Sequence, residues 1–137
     1  MVKTIDMQEM RYLNLFEQVT RVRTRFSFKY NENIFFCVPK PMVSRSIGEN
    51  GRNLRQMSSI LNKNIRVVAA PRDIGDIEPF IRSITNPITF KGVEVKDGEV
   101  VVSGGKNKAI LIGRNKRRLL EMQKIVQDFF NMGFRIA

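Results

Sequence analysis

Two short segments hold the residues best suited to chemistry in this chain, and they are copies of one another. Ile47-Gly48-Glu49-Asn50-Gly51-Arg52-Asn53-Leu54-Arg55-Gln56-Met57 returns 65 positions later as Ile112-Gly113-Arg114-Asn115-Lys116-Arg117-Arg118-Leu119-Leu120-Glu121-Met122, with Ile, Gly, Asn, Arg, Leu and Met in register. Each copy is a glycine turn leading into a basic amphipathic helix. Glycine allows a tight turn and close approach of a ligand, while helix N-terminal amides and guanidinium groups attract phosphate. The implied chemistry is the holding of a phosphate backbone, by Gly48 to Gly51 with Arg45, Arg52 and Arg55, and by Gly113, Asn115 and the charges of Lys108, Arg114, Lys116, Arg117 and Arg118.

Other chemistry finds little support. Histidine is absent, which removes the commonest general base and metal ligand. Cys37, the only cysteine, lies in the apolar run Ile34 to Val38, so it is expected to be a buried structural thiol; no disulfide or thiolate cage can form within the chain. Asp73, Asp76 and Glu78 read as capping carboxylates at a helix start, in preference to a metal cluster. Ser103-Gly104-Gly105-Lys106 resembles a nucleotide-binding P-loop only in part: Val100 stands where its first glycine belongs and Asn107 where a magnesium-binding hydroxyl belongs. A non-enzymatic protein with no cofactor is therefore expected.

The partner is expected to be a polyanion. The 137 residues hold 24 Lys and Arg against 13 Asp and Glu, a formal charge of +11. Lys106 to Arg118 alone carries six positive residues and no negative one. Met1 to Met10 is polar and mixed in charge, and no apolar run has membrane-spanning length, so a cytoplasmic protein without membrane association is expected.

The repeat divides the elements that position these residues. Asp6 and Glu9 read as a capping pair for a first helix bearing Met10, Leu13, Phe16 and Val19. Strands Arg25 to Tyr30 and Ile34 to Val38 follow, joined by a turn at Asn31-Glu32-Asn33. A short helix from Met42 to Ile47, the glycine turn, a helix from Arg52 to Asn62 with Leu54, Met57, Ile60 and Leu61 inward, and a strand from Ile65 to Ala70 complete the first half. In the second half Asp76 is expected to cap a helix bearing Ile77, Phe80, Ile81 and Ile84. Strands Ile88 to Lys96 and Glu99 to Ser103 join through Asp97-Gly98, a hairpin signal. Helices Lys106 to Ile112 and Lys116 to Phe130, with Leu119, Met122, Val126 and Phe129 inward, precede a strand from Phe134 to Ala137. Phe16, Phe129 and Phe130 fall at core spacing, which favours packing over base stacking. Arg21, Arg23, Arg25 and Lys29 suit either a binding surface or protection of an edge strand.

Each half thus reads αββααβ with a G-x-x-G or G-x-x-K turn between its paired helices. That order, with Ser46 to Leu54 and Ala109 to Leu119, resembles the type II KH domain, and two units in series are similar to the archaeal NusA-like transcription factors. The resemblance implies an α+β fold of two closely packed KH domains, residues 1–73 and 74–137, each a three-stranded sheet covered by helices. It implies a clamp on single-stranded RNA, with Ile47, Leu54 and the strand Ile65 to Val68 flooring a base groove. It also implies a role in transcription elongation or termination, and RNA polymerase as a further partner. A ribosomal or ribosome-assembly KH protein is the alternative, followed by a helix-turn-helix DNA binder. Glu49 stands where the family commonly carries a basic residue. Lys116 replaces the closing glycine, so the second loop is expected to trade close backbone approach for charge, leaving Gly48 to Gly51 as the better clamp.

Overall fold

The first half is built around a sheet whose central strand has side chains buried on both faces. In the computed structural model, which describes residues 6–137, helix α1 spans Met7–Thr20, strand β1 Phe26–Tyr30, β2 Asn33–Val38, α2 Val43–Ile47, α3 Arg52–Leu61 and β3 Asn64–Ala69. Residues 1–5, which open both the polar segment Met1 to Met10 and the first expected domain, lie outside the described residues. Asp6 caps α1, its Oδ1 accepting from the Glu9 amide at 2.8 Å. β1 and β2 are antiparallel through a turn in which Asn31 and Glu32 both have positive φ, the geometry that matches strand twist in a tight hairpin. β3 then lies parallel to β2, giving the order β1-β2-β3.

Alternation along β2 assigns its two faces. Ile34, Phe36 and Val38 join Phe16, Val22, Met57 and Ile65 in the core, with Phe16 stacked on Phe36 at 4.4 Å between centroids. On the opposite face Phe35 stacks on its cross-strand partner Phe28 at 5.1 Å, and the Arg66 guanidinium, one strand over in register, lies 5.0 Å from the Phe35 centroid. Partial burial lowers the pKa of Arg66 from its ordinary value. Cys37 is buried on this same strand. Ile60, expected inward, is 57% exposed, so the apolar stripe of α3 is confined to Leu54, Met57 and Leu61.

The second half repeats the layout. It contains α4 Ile77–Thr85, β4 Gly92–Lys96, β5 Glu99–Ser103, α5 Lys108–Ile112, α6 Arg117–Phe130 and β6 Gly133–Ile136. β4 and β5 are antiparallel through Asp97-Gly98, again with two positive φ values, and β6 is parallel to β5. Ile77, Phe80, Ile81 and Ile84 are buried as their spacing predicts, and Phe80 packs on Phe129 and Phe130 at 4.9 and 6.1 Å. The chain is therefore α+β, and it divides into two compact units between Ala70 and Pro71.

Two local expectations are corrected here. The strand expected from Ile88 begins only at Gly92, because side chains take the preceding carbonyls: Arg82 donates to Phe90 O at 3.2 Å and Asn107 to Thr89 O at 2.9 Å. Asp76 occupies the N-cap position of α4 without capping it. Its Oδ2 instead accepts from the Arg72 amide at 2.9 Å and Arg72 Nε at 3.1 Å, while Asp73 Oδ1 accepts from the Gly75 amide at 2.8 Å. Glu78 pairs with Arg82 at 3.0 Å, so each of the three carboxylates has an in-chain partner.

Candidate nucleic-acid interface

The first turn is formed by a helix that must stop and a helix that reaches back to cover its end. At Gly48 the chain takes φ 82° and ψ 167°, a region open essentially to glycine alone. A Cβ there would also stand 2.9 Å from Asn53 Cγ. The space is needed because Asn53, in the first turn of α3, points back and donates from Nδ2 to Ser46 O at 3.2 Å and Arg45 O at 3.3 Å. These carbonyls end α2 and have no partner within a five-residue helix. The turn closes with the Gly51 amide on Gly48 O at 3.1 Å, and Asn50 (φ 56°) and Gly51 (φ 73°) are both left-handed. Asn tolerates that conformation better than most residues.

The second turn follows the same plan with different side chains. Gly113 has φ 80° and ψ 170°, Asn115 φ 56° and ψ 29°, and Lys116 φ 60° and ψ 21°, against 73° and 19° at Gly51. The Lys116 amide bonds Gly113 O at 3.2 Å. Arg118 replaces Asn53: its Nη1 donates to Ile110 O at 3.2 Å, and a Cβ on Gly113 would meet its Cγ at 2.9 Å. Ile110 is the counterpart of Arg45, so the backward bond is conserved in position while its donor changes. Lysine thus accepts the left-handed backbone that glycine takes at position 51, and the turn keeps its shape.

Neither α3 nor α6 is capped by the side chain of its N-cap residue, Gly51 or Lys116, so each turn leads into a helix N-terminus through backbone alone. In each unit both paired helices lie against the third strand, α2 and α3 on β3, α5 and α6 on β6. Around the first turn Arg45, Glu49, Arg52 and Arg55 are exposed, and Ile47 is half-buried. Arg55 Nη1 donates to Asn50 O, so one of the expected cations braces the loop itself. Around the second turn Lys108, Arg114, Lys116 and Arg117 are exposed and Arg118 is half-buried behind them. Ile65 and Val68, expected to floor a groove, are 8% and 5% exposed, and Leu54 packs against the core.

No family model matches the chain, and no curated protein matches it. Among solved structures, the crystal structure of APE1850 is similar: 23% identical, with 97% of this chain and 100% of that one covered at a TM-score of 0.69. At that identity the likeness shows a shared fold.

Other basic residues are disposed differently from the loops. Arg23 is paired with Glu17 at 2.8 Å, which raises its pKa, and Arg21 ends α1 in a left-handed conformation. Lys29 is exposed on the edge strand β1, and Arg25 is exposed just before it. Among the described residues no cluster of metal-ligating side chains occurs, and no helix is long and apolar enough to cross a membrane. Sequence reasoning missed the roles of Asn53 and Arg118. The signal was present in the repeat, which aligns them one residue after the shared Arg52 and Arg117 and gives both a hydrogen-bond donor.

Proposed function

We propose that this chain is a non-enzymatic, single-stranded RNA-binding factor made of two type II KH domains, acting in transcription elongation or termination as NusA-like proteins do. One observation carries the reading: a turn of the same backbone geometry, a glycine in a glycine-only conformation and, one residue further on, two left-handed residues, occurs twice, each time between the paired helices of a ββααβ run. Such a turn brings backbone close to a ligand, and the cations around both copies favour phosphodiester. The net charge of +11 agrees with a polyanionic partner. RNA polymerase is the protein partner that this reading implies.

Replacing the two central residues of each turn by aspartate tests it. Glu49→Asp with Asn50→Asp, joined to Arg114→Asp with Asn115→Asp, puts carboxylates where phosphate would lie, and Asp accepts the left-handed backbone that Asn50 and Asn115 adopt. Loss of single-stranded RNA binding with an unchanged far-UV circular dichroism spectrum is expected. Undiminished binding would rule out both turns as the clamp.

A further inference from the structure

We propose that the second unit is the main RNA-holding half, with Arg114 and Lys116 taking phosphates and the exposed Ile110 and Leu120 taking unstacked bases, and that Glu49 makes the first unit the weaker half. This rests on the reading that the turns hold single-stranded RNA, and concerns how the load divides between them.

Because the two turns share a backbone, any difference between them lies in their side chains. Position for position, Arg114 replaces Glu49 and Lys116 replaces Gly51, so at one place on the same turn a carboxylate becomes a guanidinium and a second cation is added. Between Arg45 and Arg55 three arginines face one carboxylate, and one of those arginines is bonded to Asn50 O. From Ile110 to Leu120 four cations occur, the one carboxylate of this copy of the repeat, Glu121, lying farther along α6, and Arg118, the cation turned back to Ile110 O, is half-buried. Opposite charge at close range decides phosphate affinity, so the second turn attracts the backbone and Glu49 opposes it.

The flanking positions change in the complementary sense. Arg45 and Arg55 correspond to Ile110 and Leu120, which are 45% and 58% exposed. Leu120 lies three residues after Arg117, hence on the same face in the first turn of α6, which Lys116 precedes as N-cap. A duplex keeps its bases stacked and offers that face phosphates, sugars and groove edges, with no open base face. A single strand offers phosphate to the cations and, beside it, the apolar face of an unstacked base. The occupant that satisfies both kinds of side chain is single-stranded RNA.

The test uses the full chain and an oligo(U) of about 12 nucleotides, with anisotropy titrations from about 0.05 to 0.5 M salt. Arg114→Glu should weaken binding by about fivefold or more and flatten the slope of log K against log salt by about 0.7, the value of one lost single-strand contact. Glu49→Arg should strengthen binding and steepen the slope by a similar amount. Leu120→Gln should leave the slope unchanged and move oligo(U) affinity toward that of an abasic oligomer of equal length, with Ile110 keeping the remainder. Arg114→Gln, read beside a urea melt, gives the same sign if Arg114→Glu disturbs the fold. Wild-type affinity in both Arg114 variants, or weaker binding by Glu49→Arg, overturns the division of labour. So does poly-glutamate binding as tightly as oligo(U), which would assign the face to an acidic polypeptide. Loss of binding in the first-turn aspartate variant alone overturns only this division, whereas a wild-type chain that ignores oligo(U) overturns the functional reading itself.

Discussion

Lys116 shows how a single residue can depart from a motif while the backbone keeps it. An L-residue in the left-handed region costs about 1–2 kcal/mol, and Lys116 sits there at φ 60° and ψ 21°. Lys116→Gly should therefore stabilise the protein by roughly 0.5–1 kcal/mol, after part of the gain is lost to the freer unfolded chain. A higher urea midpoint at constant m-value would show it. The same variant should weaken RNA binding, so stability and affinity move in opposite directions. Glycine at the head of the turn is constrained twice over. Gly113→Ala places a Cβ in a glycine-only region and 2.9 Å from Arg118 Cγ, whereas Gly98→Ala at φ 72° meets nothing within 4 Å. The Gly113 variant should be the more destabilised of the two by about 1 kcal/mol or more, measured by the same melts. From the sequence, the loss of the closing glycine pointed to a second turn that trades close backbone approach for charge. What the letters did not display is that Arg118 reaches back as Asn53 does, fixing the end of α5 whatever occupies position 116.

At the scale of elements, the repeat made helices and hairpins legible because each was marked by local chemistry: Asp6 at a helix start, Asp97-Gly98 in a turn, apolar residues at helical spacing in α4 and α6. Errors arose where a side chain far along the chain competed for the backbone. Arg82 and Asn107 hold the carbonyls of Thr89 and Phe90, which shortens the strand expected from Ile88. Ile60 illustrates the other source of error, since periodicity places it near an apolar face without saying how wide that face is. Its counterpart Ile125 is 2% exposed and Ile60 57%. Ile125→Ala should cost about 2–5 kcal/mol, while Ile60→Ala should stay within about 0.5 kcal/mol. Equal losses in denaturant melts would mean that α3 and α6 bury the same face after all.

For the whole molecule, a charge of +11 would draw any polyanion, so affinity at low salt does not separate single-stranded RNA from duplex DNA. The dependence on salt does. Phosphate contacts alone give a log K that falls linearly with log salt, by about 0.9 per contact for duplex and about 0.7 for a single strand. Contact between bases and the half-buried or exposed apolar residues at the turns adds a term that salt does not screen. With about four phosphates held, oligo(U) should show a slope near −3 and retain measurable binding near 0.5 M salt. Duplex DNA of equal charge should fall away more steeply and be lost there. A helix-turn-helix reader predicts the reverse order, because its second helix would lie in a major groove and find base edges only in the duplex. If duplex binding outlasts oligo(U) at high salt, the paired helices read a groove, and the two glycine turns serve only to join them.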